Sequence, residues 1–295
     1  MPQQKASAHH RGDGPEESRP RETTGASQGG RSAEAAASAT EAEVGTFGYA
    51  ARAHAGGPRA LDGVHAVAHR GAPFVARENT LRSFRAAVVA GADAVELDVR
   101  LTRDGVPVVL HDRTLGRLWG RDVAVAALSR GQVAESAPGI PALTEALAAT
   151  RAVRTLIDLP DPAAVPATVA AVREADAAER VYYCGGPVAM RRVRAREPGA
   201  ELALSWDRAA PVRPTLLEEL RPRWLNYGFG LLTPQLVARA HADGRLVSAW
   251  TADRLRTMRR LAAMGVDAIT TNHIERLVRE RSAPAGLRGW GRVVT

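Results

Sequence analysis

From Val64 to about Leu277 the chain alternates two apolar patterns. Short runs that are apolar throughout or on every second residue read as strands, and each is followed by a segment with apolar residues at helical spacing. VHAVAHRG is such a strand, ending at His69. The segment ENTLRSFRAAVVAG after it places Leu81, Phe84, Ala87 and Val88 on one helical face and stops at Gly91. Strands begin near Val64, Ala94, Thr155, Val181, Leu202, Trp224, Leu246 and Ala268, with helical segments between them. Eight such units predict an α/β fold, a closed (β/α)8 TIM barrel. A doubly wound open sheet is the structural alternative.

One stretch breaks the alternation. DAVELDVRLTRDGVPVVLHD, Asp93 to Asp112, reads as two strands folded back on each other, a small β-hairpin after strand two. Asp104-Gly105 supplies a turn, because both residues tolerate positive φ. On the outgoing strand Glu96, Asp98 and Arg100 share one face, and Val95, Leu97 and Val99 the other. A two-residue turn puts His111 opposite Asp98, and a three-residue turn puts it opposite Leu97. In either register a histidine meets a pair of carboxylates, a candidate metal or acid/base site. Buried carboxylates are costly without a cation or donors.

In a closed barrel the chemistry sits at the C-terminal ends of the strands. His69 ends strand one, Glu96 and Asp98 lie towards the end of strand two, Asp158 lies on strand three and Trp250 on strand seven.

Composition narrows the class. Residues 1–60 are rich in Gly, Ser, Ala, Glu and Arg and poor in large apolar residues, which predicts a disordered tail. The barrel is expected over 61–280 and a C-terminal tail over 281–295. No apolar run is long enough to span a membrane, and no signal-peptide pattern opens the chain. A single cysteine, Cys184, excludes an internal disulfide. The expectation is a soluble, cytoplasmic protein. The net charge is +8 and Lys5 is the only lysine. An arginine-rich surface attracts phosphates. The basic residues are not interleaved with aromatics, so a nucleic-acid partner is not expected.

His69-Arg70-Gly71, Glu78-Asn79-Thr80, Glu96-x-Asp98 and His111-Asp112 follow one another in that order. This series resembles the glycerophosphodiester phosphodiesterase family, part of a wider group of phospholipase-C-like barrel phosphodiesterases. Ile140-Pro141-Ala142-Leu143 with Glu145, then Trp250-Thr251, then Gly265-Val266-Asp267, extend the likeness. The resemblance implies hydrolysis of a glycerophosphodiester to sn-glycerol 3-phosphate and an alcohol. It makes His69 and His111 the general acid and base, and Glu96 and Asp98 ligands of a divalent cation, Ca²⁺ or Mg²⁺. Arg70 is then a phosphate ligand, and Trp250 packs on the glycerol carbons. The expected partner is a small phosphodiester.

The chain departs from the family on strand three. Asp158-Leu159-Pro160 stands where the family has Glu-x-Lys, which makes Asp158 the third ligand and removes a cation. Arg70, or Arg100 on the carboxylate face, is expected to supply the missing charge. Arg77 and Asn272 replace a Pro and an Asp of the family pattern. Two rival readings are a lysophospholipase-D or sphingomyelinase-like enzyme, and an inert barrel that binds a phosphorylated ligand. His65 and Cys184 read as core residues, His241 and His273 as surface. Tyr227 and Phe229 read as packing residues near the pocket, and Glu78-Asn79 as a helix cap; the family resemblance also implies a place at the active-site rim for that segment.

Overall fold

The computed structural model describes residues 61–281. The expected N-terminal tail and residues 282–295 lie outside the described residues. Arg281, placed by sequence at the start of a tail, is buried. Its guanidinium binds the Asp93 carboxylate and the main-chain oxygens of Val64 and Gly91.

Among the described residues eleven strands follow in order: β1 (His65–His69), β2 (Ala94–Leu101), β3 (Pro107–Val109), β4 (Thr114–Leu115), β5 (Arg121–Ala124), β6 (Arg154–Asp158), β7 (Val181–Gly185), β8 (Leu202–Trp206), β9 (Trp224–Gly228), β10 (Leu246–Trp250) and β11 (Ala268–Thr271). Eight of them pair in parallel in the order β1-β2-β6-β7-β8-β9-β10-β11, and β11 returns to β1. The sheet is closed, with a helix following each barrel strand. Pro187, Pro214 and Pro234 open three of these helices, where the missing N–H and fixed φ carry no penalty.

Apolar residues form two layers. The larger packs the outer strand faces against the helices, through Val95, Leu97, Ile157, Leu204 and Val247 among others. The smaller fills the barrel interior with Val67, Ala94, Leu156, Tyr182, Ala203, Trp224 and Ala268. Two residues further along the strands, on the same inward face, stand His69, Glu96, Asp158, Cys184, Ser205, Asn226 and Thr270. Each of these strands thus turns from apolar to more polar as it runs to its C-terminal end. The lower barrel is a plug and the upper barrel is a cup.

The hairpin has the three-residue register. Val99 pairs with Val109 and Leu101 with Pro107, which sets His111 level with Leu97. Gly105 takes φ +79°, and the Thr102 hydroxyl accepts from the Val106 N–H, closing the turn. Residues 112–142 form an excursion whose elements the apolar spacing did not predict. β4, β5 and the helix Arg130–Ser136 enclose a separate small core of Leu115, Val125, Val133 and Ile140 under Val108 and Leu110.

Candidate active site

The site is built first on the turn after β1. Arg70 and Gly71 both take positive φ, +59° and +87°. A Cβ on Gly71 would lie 2.3 Å from Ser83 Oγ and 2.7 Å from its carbonyl carbon, so only glycine fits. The turn delivers the Arg70 N–H to Glu96 Oε2 at 2.9 Å. Its carbonyl accepts from Ser83 Oγ and from the Asn79 N–H. The helix cap belongs to Thr80, whose Oγ1 accepts from the Ser83 N–H. Asn79 is not spent on capping. It is buried, and its Nδ2 donates to Asp98 Oδ2 at 2.8 Å.

Strand register then gathers the carboxylates. His69 pairs with Glu96, and Asp98 with Asp158. One oxygen from each of Glu96, Asp98 and Asp158 lies within 4.8 Å of the others. Burial first, and then repulsion from Asp98 and Asp158, holds the Glu96 carboxyl well above the usual carboxylate range. Burial, and then Asp98, pushes Asp158 up to about 6. Three crowded carboxyls, with Glu96 and Asp158 pushed up by burial and repulsion, are a poor arrangement alone and a good one around a cation. An all-oxygen donor set fits a hard divalent ion.

The two histidines have different partners. His69 is largely buried, and its Nδ1 lies 2.8 Å from Asn272 Oδ1. Asn272 Nδ2 and its backbone N–H both donate to Asp253, at 2.9 and 2.8 Å. The amide oxygen therefore faces His69, which must carry its proton on Nδ1 and leave Nε2 bare. Burial first, and then the Arg70 charge, lowers the His69 pKa against the pull of Asn272 and Asp98. His111 stands more exposed, with Nδ1 2.7 Å from Asp112 Oδ1.

Arg117, on the excursion, ties this end together. Its Nε donates to Asp112 Oδ2 at 2.6 Å and its NH2 to Glu78 Oε1 at 2.6 Å. Glu78 Oε1 in turn accepts from Arg70 NH1 at 2.9 Å. Arg70 Nε stands 3.1 Å from Asp98 Oδ2 but off line, so this buried N–H has no hydrogen-bond acceptor.

His69, Arg70, Glu96, Asp98, His111, Asp158 and Trp250 all line one cavity of about 300 Å³. Arg100 does not. Its Nε and NH2 donate to the His111 carbonyl at 2.9 and 2.6 Å, so it anchors His111 rather than replacing the strand-three cation. Cys184 is a buried core residue as expected, and it also borders the cavity with Sγ 3.2 Å from Asp158 Oδ1. His65 is buried edge-on to Trp224, His241 meets Asp267, and His273 stacks on Phe74. Tyr227 belongs to the core and Phe229 is part-exposed outside the cavity. Sequence reasoning missed Asp253, Arg117 and the chain Ser205–Asn226–Ser248 in the barrel wall. Polar residues on inward strand positions were the available signal for the last.

Residues 69–276 match the model of the glycerophosphoryl diester phosphodiesterase family. A Mycobacterium tuberculosis protein named "Probable glycerophosphodiester phosphodiesterase 2" is 34% identical over 242 residues, covering 72% of this chain and 88% of that protein. A glycerophosphodiester phosphodiesterase of Caldanaerobacter subterraneus is 28% identical, covering 72% of this chain and 95% of its own length. The barrel is also similar to the solved structure of an Oleispira antarctica phosphodiesterase in complex with the product sn-glycerol-3-phosphate. The TM-score is 0.68 at 22% identity, over 73% of this chain and 96% of that one.

Proposed function

The chain belongs to the glycerophosphoryl diester phosphodiesterase family and is a phosphoric diester hydrolase, and we propose that its cavity cleaves a small glycerophosphodiester to sn-glycerol 3-phosphate and an alcohol by a histidine pair beside a divalent cation. The observation that carries this reading is the unlike pairing of the two histidines across one cavity. His69, neutral with Nε2 bare, takes the proton of the attacking oxygen. His111, supported by Asp112, gives its proton to the departing alkoxide. The new bond joins the attacking oxygen to phosphorus, and the phosphorus–oxygen bond to the head group breaks. The attacking oxygen belongs to water or to the glycerol's neighbouring hydroxyl. In the second case a cyclic phosphate forms, and water opens it with the two histidines exchanging roles.

Glu96, Asp98 and Asp158 would hold the cation, Ca²⁺ or Mg²⁺, which supplies charge neutralisation for the phosphate. Arg70 offers its unsatisfied Nε to a non-bridging oxygen. Pro160 brings no charge to the cavity, so Arg70 carries the cationic role alone. Trp250, at the mouth, packs on the glycerol carbons. The catalytic unit is the barrel, 61–281, with Arg281 included because it anchors Asp93.

The test is hydrolysis of glycerophosphocholine, glycerophosphoethanolamine and lysophosphatidylcholine with Mg²⁺ or Ca²⁺, by the full chain and by a chain starting at Leu61. Both should release glycerol 3-phosphate from the first two. His111→Ala should lose about 10²–10⁴-fold in kcat with the fold kept. Turnover by His111→Ala near the parent value would refute the mechanism.

A further inference from the structure

Cys184 is the chain's one cysteine. It takes no part in the proton transfers or the ligand set proposed above, yet it stands in the same cavity. β2, β6 and β7 are neighbours, and their register puts Asp98 beside Asp158 and Asp158 beside Cys184. Residues paired across parallel strands send their side chains to the same face, so these three meet at one level of the barrel interior.

Cys184 Sγ lies 3.2 Å from Asp158 Oδ1. Burial beside carboxylates keeps a thiol protonated, and an ionised carboxylate only accepts, so the S–H is the donor. The backbone holds the pair at this distance. Directly after Asp158, the Leu159 N–H donates to the Cys184 carbonyl at 3.0 Å. Directly after Cys184, Gly185 lets the two strand ends approach, because a Cβ there would lie 3.1 Å from the Leu159 carbonyl oxygen. An aspartate is one methylene shorter than a glutamate, so its reach to an ion depends more on how its carboxylate is turned. A bond to Oδ1 fixes that plane and leaves the lone pairs of Oδ2 for the ion. Partners behind a metal ligand typically change affinity by about 10–100-fold.

We infer that Cys184 is a positioning residue, whose S–H holds the short ligand Asp158 with its carboxylate turned to the cation. The inference rests on the cation site of the catalytic reading above. A packing role alone predicts a different order of variants. Cys184 also touches the apolar interior, paired with Ala203 on β8, where a serine hydroxyl is worse filling than alanine. As a donor to Asp158, serine is better than alanine.

Two measurements test this without turnover. In EDTA the S–H stretching band has a single source in this chain. It should lie at lower frequency in the parent than in Asp158→Ala, where the acceptor is gone. A band that stays in place means that the bond does not exist and overturns the inference. Calorimetric titration with Mg²⁺ and with Ca²⁺ then reads the ligand. Cys184→Ala should bind the ion about ten-fold more weakly than the parent, at the low end of the range because a thiol is a weak donor. Cys184→Val, which fills the space without a donor, should match it, and Cys184→Ser should recover most of the loss. In an Asp158→Glu background the Cys184→Ala step should cost much less, because the longer acid does not depend on the thiol. Equal affinities of parent and Cys184→Ala, a serine variant no better than alanine, or the same loss in both backgrounds overturns the positioning role and leaves the cation site standing. A parent that binds neither ion removes the cation site itself, and the role of Cys184 with it.

Discussion

Asn272 Oδ1 lies 2.8 Å from His69 Nδ1, and the rest of the Asn272 amide is held by Asp253. The proton position on His69 is thus set by a neutral amide anchored to a carboxylate, two steps from the ring.

This arrangement predicts a pH profile. Burial and the Arg70 charge lower the His69 pKa, so the ring stays a base below the ordinary histidine value of about 6.5. The acid limb of kcat/KM should fall below that pH in the parent enzyme. In Asn272→Asp a negative charge would stabilise the imidazolium and raise its pKa. The base would then be protonated at higher pH, and the acid limb should move up. A limb that stays in place would mean that His69 is not the titrating base.

Arg117 bonds both to Asp112, five residues before it, and to Glu78, 39 residues before it. Arg117→Ala should lower kcat/KM about ten-fold by loosening His111 through Asp112, with KM changed less than kcat. The side chain is half exposed, so the cost in stability should stay near about 1 kcal/mol or below. Arg117→Lys should restore only part of the rate, since one ammonium cannot reproduce the fork. Thermal melts beside steady-state kinetics separate these effects, and equal loss of stability and rate would make the role merely structural.

The three crowded carboxylates make a prediction with two opposite signs. In EDTA, Glu96→Gln should raise the melting temperature, because one buried repulsive charge is gone. With Ca²⁺ or Mg²⁺ at 100 times its Kd, the parent should gain about 2.7 kcal/mol and the variant little. Calorimetry in EDTA and in each ion measures both. A parent indifferent to either ion would remove the metal from the mechanism.

Gly71→Ala should be severe for its size. The new methyl meets Ser83 backbone at under 3 Å, in a backbone conformation that alanine resists. Unfolding in urea should show a loss of at least about 2 kcal/mol, with activity lost as His69 and Arg70 shift. Gly105→Ala, also at positive φ but with open space around it, is the comparison and should cost about 1–2 kcal/mol.

The strand and helix pattern was legible because the relevant forces are local. Alternation places Glu96 and Asp98 on one face whatever the strand packs against, and apolar spacing over Leu81–Val88 reports the helix. Once the barrel is assumed, the change from Val67 to His69, Ala94 to Glu96 and Leu156 to Asp158 can be read along the chain as the direction of the cup. His69, Glu96, Asp98, Asp158 and Trp250, read as strand-end residues on that basis, do share one cavity, together with His111 from the hairpin and Arg70 from the family resemblance.

Closure of the sheet decided the rest. Sequence left two hairpin registers open, because turn residues alone do not count the loop; packing of Val99 on Val109 chose between them. Asn79 read as a cap because a cap is a local event, whereas its bond to Asp98 needs β2 beside the turn after β1. Arg100 looked available for phosphate until the hairpin brought the His111 carbonyl to it. Asn272 and His69 are 203 residues apart, and no period relates them. They meet because β11 pairs with β1 and ends at the same height. The residues that can do chemistry are written in the chain by type and spacing. Which proton each one holds depends on neighbours that only the closed barrel supplies.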